Sequence, residues 1–164
     1  MKHLILSALL LFAACLPASA QVEIDTKALL GTWTTKKDMA LVEMTYAKHG
    51  KMEFRIEVNA SQLQGSIIIK SSGTWRAESD SIVQVIDPNS ISVKYNGSNN
   101  AIGAQIESMV SANKEKMFGQ FGAGKGEIVL RNVVVADNLL IFSQKFPSLD
   151  GSLKEEKVVM HKEE

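Results

Sequence analysis

The sequence predicts a mostly β fold: an antiparallel, eight- to nine-stranded barrel or strongly curved sheet, with one helix inserted at about residues 100–118. Three observations carry this. From Lys51 to Asn59, Met52, Phe54, Ile56 and Val58 alternate strictly with Lys51, Glu53, Arg55, Glu57 and Asn59. Such alternation puts one row in a core and the other in water, as in a half-buried strand of an antiparallel sheet. Short β-like segments separated by turn residues recur along the chain, a pattern typical of barrels. Between Asn100 and Phe118 the period changes, with Ile102, Ile106, Met109, Val110 and Met117 at helical spacing.

Gly31 to Asp38 reads as the first strand. Leu41 to Ala47 leads through Lys48-His49-Gly50 into the strong strand, which predicts a hairpin. Ser66 to Ala77 is rich in Ile and carries Trp75 near its end. Ile82 to Ile86 and Ser90 to Tyr95 flank the turn Asp87-Pro88-Asn89, where Pro presets φ and Asn tolerates tight geometry. Asn99 or Asn100 is placed to cap the helix and Gly119 to end it. Its thin apolar stripe predicts one narrow buried face. Glu127 to Val135 and Leu139 to Ser143 flank Ala136-Asp137-Asn138, a hairpin signal. Lys157 to Lys162 makes a last strand, and Lys154-Glu155-Glu156-Lys157 reads as a solvated turn or strand start.

The first 20 residues read as a secretory signal peptide. Lys2 is the positive start, Leu4 to Ala14 is an apolar run too short to span a bilayer, and Ala18-Ser19-Ala20 is the small-x-small cleavage pattern. The expected product is a single β domain, residues 21–164, exported to the periplasm or secreted. Cys15 follows Phe12-Ala13-Ala14, which resembles a bacterial lipobox. Lipidation there would make the product a membrane-anchored lipoprotein instead. Cleavage after Ala20 is the better pattern match, because Phe12 stands where lipoproteins usually carry Leu.

Composition excludes several chemistries. Cys15 is the only cysteine, so cleavage after Ala20 leaves no disulfide, thiolate metal site or cysteine nucleophile. Lys plus Arg and Asp plus Glu are 18 each and interspersed, without the basic patch of a nucleic-acid binder. Gly119-Gln120-Phe121-Gly122-Ala123-Gly124-Lys125-Gly126 imitates a phosphate-binding loop. It follows a helix where such a loop precedes one, and Gly126 replaces the magnesium-binding hydroxyl. His49 and His161 have no metal-ligand spacing, no G-x-S-x-G elbow occurs, and Glu53 and Glu57 share the water-facing side of their strand. No cofactor, metal site or catalytic residue is expected.

Gly31-Thr32-Trp33 recurs as Gly73-Thr74-Trp75. In each copy a Gly lets the chain bend before a Trp able to bury a large apolar area. Gly31-Thr32-Trp33, opening the first strand, resembles the G-x-W motif of lipocalins and of bacterial exported lipocalin-like domains. The order that follows, a hairpin through Lys48-His49-Gly50 and then Gly73-Thr74-Trp75, is also similar. The helix lies between strands here, whereas lipocalins carry their main helix after the eighth strand. The resemblance implies a calycin-type barrel in which Trp33 is structural and the interior takes a small apolar ligand. Tyr46, Phe54, Trp75 and Tyr95 are the candidate lining, each also suited to plain core packing. The rival expectation is an envelope interaction or structural module without an internal ligand, with Phe118 and Phe121 at the helix exit as its contact surface.

Overall fold

The computed structural model describes residues 23–37, 39–60, 64–119, 127–147 and 152–163. The expected signal peptide, its Ala18-Ser19-Ala20 pattern and Cys15 lie outside these residues, as do Phe121 and most of the glycine-rich segment. Nine strands form: β1 (Gly31–Lys37), β2 (Ala40–Ala47), β3 (Lys51–Ala60), β4 (Gly65–Glu78), β5 (Ser81–Ile86), β6 (Ser92–Gly97), β7 (Glu127–Ala136), β8 (Leu139–Pro147) and β9 (Leu153–Lys162). A one-turn helix α1 (Thr26–Leu29) precedes them, and α2 (Asn100–Gly119) joins β6 to β7.

The strands pair in the order β3-β2-β1-β9-β8-β7-β5-β4, and β3 pairs with β4 to close the ring. The result is an eight-stranded antiparallel barrel with β6 as an additional strand on β4. Closure gives paired neighbours to edges that would otherwise be open to solvent or to another chain. The charged run at Lys154-Glu155-Glu156-Lys157 lies on β9, whose pairing with β8 begins at Leu153.

β4 explains where the ninth strand goes. One edge pairs with β3, while the other pairs with β6 over Gly65–Lys70 and with β5 over Gly73–Glu78. β5 and β6 therefore lie end to end along one neighbour. The Asp87-Pro88-Asn89 turn produces a kink rather than a hairpin. At the break the Ser72 backbone has no strand partner on the β5–β6 edge. The Ser90 hydroxyl takes that place, accepting from the Ser72 N–H at 2.8 Å, while the Asp87 N–H donates to the Ser72 carbonyl at 2.9 Å. Asp87 in turn accepts from the Asn89 N–H at 2.9 Å, which fixes the kink.

Helix α2 starts where Asn99 accepts from the N–H groups of Ala101 and Ile102, an N-cap that satisfies otherwise orphaned donors. It packs on β6. Gly103 and Val110 are buried and Ile102 and Ile106 half-buried, whereas Met109 is 60% exposed. The buried face is as narrow as the sequence predicts. The Tyr95 ring on β6 fits among Gly65, Gly97 and Gly103; a Cβ at any of the three would lie 3.0 Å or less from it.

One end of the barrel is filled. Leu29, Trp33, Ile82, Leu130, Leu140 and Met160 are fully buried there. The Trp33 indole N–H donates to the Leu29 carbonyl at 2.7 Å. Lys162, at the end of β9, lies over the Trp33 ring at 5.2 Å and donates to the Ala28 carbonyl at 2.9 Å. The Glu163 N–H donates to the Thr32 carbonyl. Asp25 caps α1 through Lys27 and Ala28. Gly31 has φ +122° and faces Lys162, so an added Cβ would lie 2.9 Å from Cε.

The opposite end is looser. Along the inward row of β3, Met52 is 2% exposed, but Phe54, Ile56 and Val58 are only half-buried. Ile69 and Ile67, the register partners of Ile56 and Val58 on β4, are half-buried too. The β1–β9 seam that closes the ring has two registered pairs, Trp33 with Lys162 and Thr34 with His161. Beyond them the exposed Lys37–Glu156 ion pair, at 2.9 Å, links the two strands.

Candidate functional site: the barrel mouth and its floor

The end bounded by the finish of β3 and the start of β4 forms a mouth lined by an apolar row. Sheet register sets its composition. Val42 pairs with Ile56, Ile56 with Ile69, and Ile69 with Val93, so one inward rung crosses β2, β3, β4 and β6. Each of these side chains is partly exposed. The next rung toward the filled end is Met44, Phe54 and Ser71. Below it lie Tyr46, Met52, Gly73 and Ile86.

The four lining candidates separate into two places. Tyr46 is fully buried and meets half-buried Trp75 edge-on, ring centroids 5.5 Å apart at 81°. The Trp75 indole donates to the Ala47 carbonyl at 3.1 Å. Phe54 sits on the same inward face one rung nearer the mouth, packed against the core yet partly open. Tyr95 lies apart from these three, on β6 beneath α2. Phe54 is thus the candidate at the mouth, Tyr46 and Trp75 form the floor, and Tyr95 secures the helix.

Two polar features sit within this apolar setting. Gln84 is 2% exposed, and its amide donates to the Tyr46 hydroxyl at 2.6 Å and approaches the Met44 sulfur at 3.5 Å. The Tyr46 hydroxyl lies 3.6 Å from the same sulfur. Burial pushes the Tyr46 phenol well above its ordinary range, and the Gln84 hydrogen bond opposes this in part. Ser71 is 5% exposed, and its hydroxyl has no hydrogen-bond partner, the one buried side-chain polar atom so placed among the described residues. Sequence reading missed both. Gln84 interrupts the apolar run Ile82–Ile86, a signal that was available, whereas Ser71 is hidden in the polar string Lys70-Ser71-Ser72-Gly73.

The outward face is different in kind. Arg55 donates to both Glu43 and Glu57, and Glu43 above all holds its guanidinium up. These residues, with Lys70, Thr45 and Ser90, border a shallow groove of mixed charge. His49 and His161 are exposed and far apart in the sheet. Among the described residues no three His, Cys, Asp or Glu side chains are placed to hold a metal ion, and no helix is long and apolar enough to cross a membrane.

A closed eight-stranded antiparallel barrel, filled at one end and apolar at the other, is compatible with a lipocalin-like ligand-binding domain. Comparison with known protein families and with curated protein sequences finds no match.

Proposed function

We propose that this chain is an exported lipocalin-like binding protein that holds a small apolar ligand in the mouth half of its barrel. The fading burial along β3, from Met52 to Val58, carries the reading. Apolar surface left partly in water forgoes about 25 cal/mol per Å² of stabilisation, which a bound molecule recovers. The apolar rung with few polar groups fits the make-up of small-molecule sites. The signal-like residues 1–20 support delivery to the periplasm or medium, or to a membrane surface if Cys15 is lipidated.

Native mass spectrometry of protein from its own host tests the reading. A co-purifying apolar small molecule is expected. So is quenching of Trp75 emission on adding N-phenyl-1-naphthylamine, a neutral apolar fluorophore. A ligand-free spectrum together with no response to the fluorophore sinks it. The second reading, an envelope interaction module, is favoured by outward apolar residues: Met109 on α2, and Val134 and Val159, which flank Ile141 across β7, β8 and β9. Cross-linking in envelope extracts that recovers no partner counts against it.

A further inference from the structure

We infer that the ligand of the mouth is a neutral molecule with one hydrogen-bonding group, a hydroxyl or carbonyl, seated on the Ser71 hydroxyl. The inference rests on the mouth being a binding site and names the chemistry of what it takes. A buried hydroxyl without a partner costs about 1–3 kcal/mol in desolvation, so native interiors pair such groups with protein, water or ligand. Among the described residues the Ser71 oxygen is the one buried side-chain polar atom left unpaired.

Its place in the sheet selects the partner. Ser71 lies on the inward face of β4, directly opposite Phe54. One step toward the mouth on that face is Ile69, and one step toward the filled end is Gly73, which adds no side chain. The Ser71 hydroxyl therefore marks the boundary between packed core and open apolar wall. The polar trio of Tyr46, Gln84 and Met44 is engaged with itself. Phe54, half-buried and directly opposite Ser71, is the partly open neighbour beside the hydroxyl.

The electrostatics exclude an anionic head at this depth. The inward positions around Ser71 are Phe54, Ile69, Gly73 and, on β5, Gln84 and Ile86, none of them charged. Lys37, at the rim, is paired with Glu156. A buried carboxylate without a counter-charge is strongly disfavoured. One neutral hydrogen bond with an apolar tail is what the wall accommodates.

Competition against bound N-phenyl-1-naphthylamine tests this with three probes of equal chain length: n-octane, 1-octanol and octanoate. The native chain should bind octanol about 3- to 10-fold more tightly than octane, the range of one net hydrogen bond, and octanoate most weakly. Ser71→Ala should erase octanol's advantage, octane then binding at least as tightly, with each probe's affinity referred to the fluorophore affinity measured in the same variant. That variant removes an unpaired hydroxyl, so its melting temperature should not fall. If octanol keeps its advantage in Ser71→Ala, or octanoate binds best, the Ser71 assignment is wrong while the mouth site stands. Equal octanol and octane affinities in both proteins mean that the hydroxyl serves only water, which also overturns it. If the fluorophore and all three probes fail to bind, the mouth reading fails and this inference with it.

Discussion

Trp33 shows how much one side chain is asked to do. Its ring fills the closed end, its N–H is satisfied by Leu29, and Lys162 crosses its face. Trp33→Ala should lower unfolding stability by about 3–5 kcal/mol, the usual cost of emptying a large buried aromatic site, as read from urea denaturation. Lys162→Met should cost less, about 0.5–2 kcal/mol, since it keeps the packing and loses the cation–π and carbonyl contacts. Tyr46 gives the residue-scale pH prediction. An unfolded tyrosine ionises near pH 10, and burial raises the folded value above that. Above pH about 10 the native state then holds more protons than the unfolded one. The Tyr46 contribution is complete below that pH and declines as pH rises, by at most about 1.4 kcal/mol per unit. Urea midpoints at pH 8.5, 10 and 11 should show the decline in the native protein and a weaker one in Tyr46→Phe.

At the scale of elements, the attachment of α2 is the testable joint. The helix rests on a narrow face, an Asn99 cap and the Tyr95 ring held among three glycines. Gly103→Ala places a Cβ 3.0 Å from the Tyr95 ring. It should therefore loosen the helix even though alanine is the better helix former. Faster amide exchange across residues 100–113, with the barrel strands unchanged, is the expected result; equal protection in both proteins argues against the joint. Asn99→Ala should weaken the same segment by about 1 kcal/mol. The helix and its narrow face were legible in the sequence, because Ile102, Ile106 and Val110 recur at helical spacing. So was the inward row of β3, since alternation states its own geometry. The kink between β5 and β6 was not. Asp87-Pro88-Asn89 favours a turn, but nothing local says whether the next strand folds back on β5 or continues along β4. That choice belongs to β4, which is long enough to host both. The candidate site was half legible for the same reason. Composition pointed to Tyr46, Phe54, Trp75 and Tyr95, but only the packing of α2 on β6 separates Phe54 at the mouth from Tyr95 beneath the helix. Nor could α1 be read, since a single turn leaves no periodic signal.

For the whole molecule, closure is the weak point of the design. Seven of the ring's eight strand junctions carry four or more registered pairs, whereas β1 and β9 share two. Reinforcing that junction should stabilise the ring as a unit. Thr34 and His161 are directly opposed in the register, at a spacing antiparallel partners commonly offer to a disulfide. In protein lacking Cys15, the pair Thr34→Cys and His161→Cys should form a crosslink spanning most of the chain. The expected gain is about 2–4 kcal/mol over the reduced form, lost on adding reductant. A crosslink that forms without raising stability shows that the seam is already secure. The filled end and the mouth respond differently to such changes. Substitutions at Trp33 or Leu140 act on stability, and those at Ile56 or Ile69 are expected to act on the fluorophore's affinity.

The contacts of Lys162 with Ala28 and of Glu163 with Thr32 have a consequence for how the chain can be rewired. They bring the first and last described segments side by side, so the cyclic succession of strands has no privileged starting strand. A circular permutant that joins residue 163 to residue 23 through a short glycine-serine linker should fold to the same barrel. Its new termini can be opened between Lys48 and His49, where His49 is exposed and held at a φ of 61°. Cutting there releases a left-handed backbone position and leaves every strand whole.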